Sequence, residues 1–336
     1  MAETVLVTGG TGFVGGWCIV ELLKRGYAVR TTVRSPAKAD QVRAAVASQV
    51  EPGGRLTFAV ADLMQDEGWD AAIAGCDYVL HVASPMSRGD ADDMIAAARE
   101  GALRVLGAAV RAGVRRVVMT SSTAASAPRL DGPDSLNDET VWTDPNAPQL
   151  SAYRQSKTLA ERAAWDFMAQ AGGPTTLTTI LPTAVFGPVL PIETLGSVQV
   201  IGRMLEGRVP GNPRRGFNVV DVRDLAVAHV LAMTAPQAAG QRFIASSDFM
   251  WMADIARTLK ARLGSRAGKV SARVLPDVAV KLLAGANPAM REIAVGLGRR
   301  HCYTSEKARR VLGWAPRPAT ETVVDCAESL LAQSGA

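Results

Sequence analysis

Tyr153 and Lys157 have residue types and a spacing that can serve proton transfer. On a helix, residues four positions apart lie on the same face, so the phenol and the ammonium of this pair would be neighbours. A nearby cation stabilises a phenolate and lowers the pKa of a tyrosine from its ordinary value of about 10. The pair therefore makes Tyr153 a candidate general acid or base at neutral pH.

A second pair, Tyr303 and Lys307, has the same spacing. The chain contains four tyrosines and seven lysines in 336 residues, a composition that gives about 0.1 accidental matches to the pattern. Because two matches occur, spacing alone does not identify the catalytic pair. The position of each pair in the predicted fold must distinguish them. Tyr303 lies beside the basic segment 308–314, which predicts a surface helix. We therefore interpret the second pair as structural and the first as catalytic.

Ser122 follows a predicted strand at 116–120, at the edge where a doubly wound sheet presents side chains to a ligand. A hydroxyl at that edge can donate to a substrate carbonyl oxygen and stabilise the alkoxide that forms when hydride arrives. Ser121 and Thr123 compete for this role. Strand alternation puts 121 and 123 on the face opposite 122, but it does not say which face points at the substrate.

Gly9, Gly12 and Gly15 lie between the first predicted strand and the first predicted helix. In such a turn the first glycine permits the tight bend, the second lets the backbone approach a pyrophosphate, and the third lets the helix pack closely. The N–H groups and the dipole at the helix N-terminus favour the phosphate. The pattern predicts a dinucleotide-binding site.

Arg34 ends the second predicted strand, where an NAD site would have Asp or Glu for the ribose 2′-hydroxyl. An acidic side chain would repel a 2′-phosphate, whereas Arg34 can pair with it through two charge-assisted hydrogen bonds. Lys38, one helical turn later, is a second candidate cation. The alternative is that Arg34 is a solvated surface residue. We expect NADP(H) as the cofactor.

Strands and helices that alternate along the sequence would position these candidate residues. Such alternation predicts an α/β fold with a doubly wound parallel sheet, a Rossmann fold, and a smaller C-terminal substrate-binding lobe. The predicted strands are 4–8, 28–33, 56–60, 78–82, 116–120 and 175–181, and the predicted helices include 90–112 and 152–170.

The alternation breaks down after Pro182, where prolines and glycines punctuate the chain. We expect a dinucleotide-binding domain at 1–181, with a segment at about 216–246 that returns to the sheet as strand and helix. The substrate-binding lobe would comprise 182–215 and 247–336. The segment 130–150 is rich in Pro, Asp and Asn and predicts a long surface loop with a functional role.

Composition limits the possible partners. The chain is 48% hydrophobic and 21% charged, which is typical of a globular protein, and its net charge of +5 is spread without runs. Three histidines and four cysteines without a CxxC motif predict no metal site and reduced thiols. No apolar run reaches the roughly 20 residues of a membrane span, and no leader precedes the first strand. We expect a cytoplasmic monomer or homodimer that binds neither nucleic acid nor membrane.

The chain resembles the extended short-chain dehydrogenase/reductase family, and within it the dihydroflavonol-reductase-like branch. The matching motifs occur in family order over essentially the whole chain. They are Thr8 to Gly15, Thr32-Val33-Arg34, Ala61-Asp62-Leu63, His81-Val82-Ala83-Ser84, Thr120-Ser121-Ser122, Tyr153 to Lys157, and Leu181 to Pro188.

The resemblance implies a catalytic trio of Ser122, Tyr153 and Lys157, in which Tyr153 gives the proton and Lys157 also holds the nicotinamide ribose. It implies that 62–63 flank the adenine, that 82–84 lie along the cofactor, and that 182–185 contact its nicotinamide end. Asp62 could instead be a helix N-cap, and Pro182 only a strand terminator. The expected cofactor-binding residues are Gly9, Thr11, Gly12, Phe13, Val14, Gly15, Arg34, Lys38, Asp62, Leu63, Val82, Ala83, Ser84, Thr120, Tyr153, Lys157, Pro182, Thr183, Ala184, Val185 and Ser197.

Three departures from the family narrow the expected function. Flavonoid-reducing members have Asn five residues after the catalytic Ser, whereas this chain has Ala127. The tryptophan-tyrosine-cysteine lead-in of the cinnamoyl reductases is missing. The nucleotide-sugar dehydratases have acidic residues directly after the catalytic hydroxyl position, whereas Ser122 is followed by Thr123 and Ala124.

We expect an NADPH-dependent reductase that converts a ketone or aldehyde, hydrophobic or aromatic, to an alcohol. Met86, the loop 130–150 and the segment 188–192 are the expected walls of the substrate site. An epimerase or hydroxysteroid-type dehydrogenase would share the same trio, and Arg34 disfavours a tightly held NAD. A non-catalytic NADP-sensing regulator is a third possibility, although it would not need the trio.

Overall fold

The computed structural model describes residues 2–85, 91–148, 150–191, 196–286 and 293–335. Its strands are β1 (Thr4–Val7), β2 (Ala28–Val33), β3 (Leu56–Val60), β4 (Tyr78–His81), β5 (Arg116–Thr120), β6 (Ser135–Asn137), β7 (Thr176–Pro182), β8 (Ala184–Phe186), β9 (Gly216–Asp221), β10 (Arg242–Ala245), β11 (Phe249–Trp251) and β12 (His301–Tyr303). Its helices are α1 (Phe13–Lys24), α2 (Ala39–Ala47), α3 (Trp69–Ile73), α4 (Ala91–Ala112), α5 (Ala152–Ala171), α6 (Val198–Leu205), α7 (Val222–Thr234), α8 (Met252–Leu263), α9 (Asp277–Ala286), α10 (Glu306–Leu312) and α11 (Ala319–Gln333).

Seven strands form one parallel sheet in the order β10-β7-β5-β4-β1-β2-β3. The order reverses direction between β1 and β4, and such a switch point opens a crevice at the carboxyl ends of the strands. The α/β doubly wound fold that the sequence predicts is confirmed. β2, β3 and β5 begin and end at the predicted residues, because each is a β-branched or apolar run bounded by polar or glycine-containing segments.

Side-chain alternation divides the core between the two faces of the sheet. On β1, Val5 and Val7 join one apolar cluster with α1 and α7, and Leu6 joins the other with α3, α4 and α5. All three side chains are fully buried, and burying an aliphatic side chain of this size stabilises the fold by about 2 kcal/mol. A sheet covered on both faces keeps its strand ends fixed, and those ends present the candidate site residues.

Two short strand pairings differ from the predictions. The expected loop 130–150 contains β6, which pairs in parallel with β12 near the end of the chain. β9 does not join the central sheet but lies between β8 and β11 in a sheet of three strands, and it is β10 that returns to the central sheet beside β7. Both pairings join segments far apart in sequence, so local pattern does not reveal them.

Tyr303 is not on a helix, which makes the predicted surface helix wrong at this position. It ends β12, and α10 begins only at Glu306, after the N-cap residue Ser305. The parallel pairing of β12 with β6 imposes extended backbone up to Tyr303. Tyr303 and Lys307 therefore lie on different elements. Within the described ranges, no helix has the length and hydropathy to cross a membrane.

Candidate functional site

The turn after β1 has the geometry expected of a pyrophosphate cradle. Gly9 has φ +75°, which glycine adopts without strain. A Cβ on Gly15 would lie 2.3 Å from the Gly9 carbonyl oxygen, so the third glycine allows α1 to pack against the turn. A Cβ on Gly12 would meet that same oxygen at 3.3 Å. The three glycines therefore bring the start of α1 close to the end of β1.

The first turn of α1 offers backbone donors to a ligand. Gly12 is its N-cap and has no side chain to cap the helix. Among the described residues, the N–H groups of Phe13 and Val14 have no hydrogen-bond partner. Free N–H groups at the positive end of a helix dipole bind phosphate, so the cradle fits the diphosphate of a nicotinamide dinucleotide.

Arg34 and Lys38 are exposed beside this cradle at the carboxyl end of β2. Lys38 ends a 3-10 turn and donates to Gln41 Oε1 over 3.3 Å. Arg34 has no hydrogen-bond or ion-pair partner among the residues that the structure describes. An arginine without a carboxylate partner at this strand end remains available to a phosphate.

Thr8 connects the glycine turn to the end of β4. Its hydroxyl accepts from the N–H groups of Val82 and Ala83, each over 3.0 Å, and lies 3.0 Å from His81 Nδ1. Burial and the charge of Lys157 lower the pKa of His81 to about 3, so the ring is neutral and Nδ1 accepts the Thr8 proton. Segment 82–84 is thereby held against the turn, where a Cβ on Gly9 would lie 2.9 Å from Ala83 Cβ.

The three hydroxyls after β5 have different partners. Ser121 Oγ donates to Glu161 Oε2 over 2.6 Å, and Thr123 Oγ1 donates to the Pro182 carbonyl oxygen over 3.2 Å. Ser122 Oγ accepts from the Ala124 N–H over 3.1 Å, which leaves its own proton without a protein acceptor among the described residues. Ser122 is 9% exposed. Of the three, Ser122 is the hydroxyl that can donate to a ligand.

Tyr153 and Lys157 lie on the first two turns of α5, and α5 packs against the 3-10 turn Thr123–Ala125 that follows Ser122. Lys157 Nζ is 5.9 Å from the centroid of the Tyr153 ring. The Tyr153 side chain is 45% exposed, unlike the core around it. The helix thus brings a phenol and an ammonium together at the carboxyl edge of the sheet, beside Ser122.

Lys157 also faces a small cavity between α5 and the ends of β4 and β5. Its lining includes His81, Ser84, Thr120, Ser121, Lys157 and Ala160. Besides burial, the positive charge of Lys157 contributes to the lowered pKa of His81. The hydroxyl of Thr120 already has a partner, because it donates to His229 Nε2 over 2.7 Å. His229 donates through Nδ1 to the Leu225 carbonyl oxygen, and burial lowers its pKa to about 4.

The remaining predicted cofactor residues are spread along the same edge. Asp62 is not a helix N-cap; its Oδ1 accepts from the Met64 N–H in a turn after β3. Leu63 is buried beside it. The segment 182–185 is tied to β10 by the Thr183 N–H, which donates to the Ala245 carbonyl oxygen over 3.1 Å. Ser197 precedes α6. Met86 and Ile192, two expected walls, lie outside the described residues.

Sequence reasoning missed a buried ion pair under the site. Glu161 is fully buried, pairs with Arg242 Nε over 2.9 Å, and accepts from Ser121 and from Thr179 Oγ1. Arg242 stacks on the Trp142 ring at 3.6 Å. This network ties α5, the β5 end and the 130–150 segment together. Glu161 follows Lys157 by four residues on α5, but that spacing predicts a pair between those two side chains and gives no sign of Arg242.

The chain belongs to the family described as NAD dependent epimerase/dehydratase family, whose model matches residues 5–245. It is an oxidoreductase of the extended short-chain dehydrogenase/reductase type, in agreement with the resemblance in its motifs.

Curated relatives include reductases from plants and a fungus. The chain is 36% identical over 262 residues to Cinnamoyl-CoA reductase 1 of Petunia hybrida, which covers 76% of each protein. It is 31% identical over 359 residues to Ketoreductase azaE of Aspergillus niger, which covers 99% of each. Among solved structures, yeast methylglyoxal/isovaleraldehyde reductase Gre2 complexed with NADPH has a TM-score of 0.81 and 25% identity over 99% of both chains.

Proposed function

We propose that this protein reduces a ketone or aldehyde to an alcohol with NADPH. The observation that carries the proposal is the set of free donors at one sheet edge. Ser122 keeps a proton for a substrate carbonyl, and the exposed Tyr153 lies on one helix face with Lys157. When bound, the cofactor supplies a hydride. The relatives named as cinnamoyl-CoA reductase and ketoreductase support the same reaction class.

Each of the three side chains has a separate task in the proposed reaction. Ser122 donates a hydrogen bond to the carbonyl oxygen and stabilises the negative charge that develops on it. Tyr153 gives its proton to that oxygen, which becomes the alcohol. Lys157 stabilises the resulting phenolate through its positive charge and would bind the nicotinamide ribose. Ser121 and Thr123 do not take part, because their protons are donated within the protein.

The cofactor-binding residues proposed from the sequence are assigned to successive parts of the cofactor, starting at the glycine cradle. Phe13 and Val14 would bind the diphosphate through their free N–H groups, and Arg34 with Lys38 would bind a 2′-phosphate. Segment 62–63 would flank the adenine, and segment 82–84 would lie along the cofactor. Segment 182–185 would lie at the nicotinamide end, beside Thr123.

The substrate in this proposal is hydrophobic or aromatic and binds between the sheet edge and the smaller lobe. A cavity in that region has apolar walls that include Ala127, Leu130, Leu150 and Val295. Plant relatives named for cinnamoyl-CoA and anthocyanidin substrates support an aromatic group. Elimination chemistry is disfavoured, because the position after Ser122 is Thr123, whose hydroxyl is bonded to a backbone carbonyl.

The proposed state is a cytoplasmic monomer or homodimer that binds small molecules rather than nucleic acid or membrane. The modest net charge of +5, spread along the chain, supports this proposal.

A coenzyme comparison tests the proposal. The purified protein is assayed with aryl ketones, diketones and aldehydes, once with NADPH and once with NADH, by the loss of reduced-nicotinamide absorbance. We expect turnover with NADPH and at least a tenfold lower kcat/KM with NADH, because a bidentate charged contact is worth about 1.5–3 kcal/mol. Arg34→Ala should remove most of this preference, whereas Arg43→Ala, on the neighbouring helix α2, should keep it. Equal use of both coenzymes would contradict the role of Arg34.

A further inference from the structure

Arg154, the residue after Tyr153, lines the cavity in which the proposed function places the substrate. The cavity has a volume of about 90 Å³ and lies between the 127–131 and 143–150 segments and Val295 of the smaller lobe. A water needs at least about 10–15 Å³ on this measure, so the space would admit a group of several heavy atoms. Its walls are apolar except for Arg129, Asp131, Thr143, Asp144 and Arg154.

The cavity is lined by residues that are close in sequence to the proposed catalytic residues. Ala127 follows Ser122 by five residues at the carboxyl end of β5, and Leu150 and Arg154 flank Tyr153 at the start of α5. Successive helical residues point about 100° apart. Arg154 therefore leaves α5 in a different direction from Tyr153, and it reaches the cavity that Ala127 and Leu150 also line.

The other charged groups of the cavity already have partners. Asp131 receives two hydrogen bonds from Arg129, over 3.1 and 2.9 Å, and these bonds lower the pKa of its carboxyl group. Asp144 accepts from the Asn146 N–H over 2.9 Å. Asp131 is thus paired with a cation and Asp144 is bonded to a backbone N–H, whereas Arg154 is the cation of the cavity without a carboxylate partner among the described residues.

Arg154 has no carboxylate partner among the described residues, and its observed contact is neutral. The guanidinium lies near enough to the Tyr303 phenol to oppose the effect of burial on the pKa of that tyrosine. A guanidinium has five N–H donors, so most remain for a ligand. The neighbouring neutral phenol leaves the positive charge of Arg154 in place.

We propose that Arg154 binds a carboxylate on the substrate, so that the preferred substrates are apolar or aromatic keto acids and aldehydo acids. This inference rests on the proposed function, since it assigns the substrate class of the same site. An arginine pairs with a carboxylate through two parallel hydrogen bonds. The apolar walls would contact the hydrocarbon part, and Arg154 would select the charged end.

Matched acids and esters test the proposal. The pairs are benzoylformate with its methyl ester and 4-acetylbenzoate with its methyl ester, which place the carboxylate at two distances from the carbonyl. We expect the protein to prefer the acid of at least one pair. Arg154→Met should lower kcat/KM for that acid about tenfold to a hundredfold more than for its ester. A difference of this size corresponds to the loss of a hydrogen bond to a charged group. Arg154→Lys should keep part of the preference.

Two controls separate this role from a structural one. Tyr303→Phe removes the neutral partner and keeps the guanidinium, so the preference for the acid should remain. Arg309→Met removes an equal charge from the exposed face of α10 and should leave the acid-to-ester ratio at its original value. Thermal unfolding of each variant reports whether the fold is intact.

The outcomes distinguish the two proposals. If the protein reduces the esters and prefers neither acid, the carboxylate site is wrong but the reductase activity is not. The same conclusion follows if Arg154→Met leaves the acid-to-ester ratio of kcat/KM unchanged. Preference for phosphate-bearing thioesters over both carboxylates would also overturn it. Failure to reduce either ester or any carbonyl compound of the wider panel with NADPH overturns the reductase, and the carboxylate site falls with it.

Discussion

Tyr153–Lys157 and Tyr303–Lys307 have the same spacing but different structures. The first pair lies on α5, where Lys157 Nζ is 5.9 Å from the Tyr153 ring. The second pair is divided between β12 and α10, and Lys307 Nζ lies over the Phe243 ring instead, at 5.2 Å from its centroid. Tyr153 is exposed, whereas burial raises the pKa of Tyr303. Spacing of four residues therefore predicts a phenol and ammonium pair only where the backbone is helical.

The largest effect should come from removing each phenol in turn. Tyr153→Phe deletes the proposed proton donor, so kcat for a neutral aryl ketone should fall by about 10²–10⁴-fold. Tyr303→Phe deletes a hydroxyl on another element and should change kcat/KM for that ketone by less than about threefold. NADPH binding, measured by fluorescence titration, should be nearly intact in Tyr153→Phe. Comparable losses in the two variants would remove the distinction between the pairs.

A smaller effect should follow from changing the two lysines to arginine. A guanidinium is planar and larger than an ammonium and is not interchangeable with it beside a phenol. Lys157→Arg should lower kcat by about tenfold or more and shift the pH profile of kcat, because the cation no longer stabilises the phenolate in the same geometry.

Lys307→Arg is the matched control for that change. Its ammonium lies over an aromatic ring, where a guanidinium also binds well. Activity and its pH profile should therefore resemble those of the unaltered protein. A shift of the pH profile in Lys307→Arg, with none in Lys157→Arg, would reverse the assignment of the two pairs.

The smallest effect should appear in stability at alkaline pH. Burial raises the folded-state pKa of Tyr303 above its ordinary value of 10.0, with a partial opposing effect from Arg154. The unfolded chain then releases the proton first, so the stability that Tyr303 contributes is present below pH 10 and is lost as pH rises through the folded-state pKa. Between pH 9 and pH 11, urea unfolding should show a greater loss of stability in the unaltered protein than in Tyr303→Phe. Equal losses would mean that Tyr303 titrates as a solvated group.

The sequence predicted the central parallel sheet and its helices more completely than the smaller C-terminal lobe. Strand and helix periodicity, together with three glycines at the start, was enough to place β1 to β5 and the cofactor cradle, because each of these strands is a local apolar or β-branched run bounded by turns or helices. β6, β9 and β12 were not placed correctly. Their pairing partners lie far along the chain, and such contacts leave no local pattern.

The candidate site also has features that the sequence predicts and features that only the folded chain determines. By itself the sequence determined which residue types are available at the sheet edge, the helical spacing of Tyr153 and Lys157, and the absence of an acid after Ser122. Only the tertiary structure decided between the three hydroxyls, because Glu161 and the Pro182 carbonyl approach from distant elements and take the protons of Ser121 and Thr123. It alone also brought Arg154 near enough to Tyr303 to affect the pKa of the phenol, since the approach of residues so far apart in sequence depends on the folded path of the whole chain.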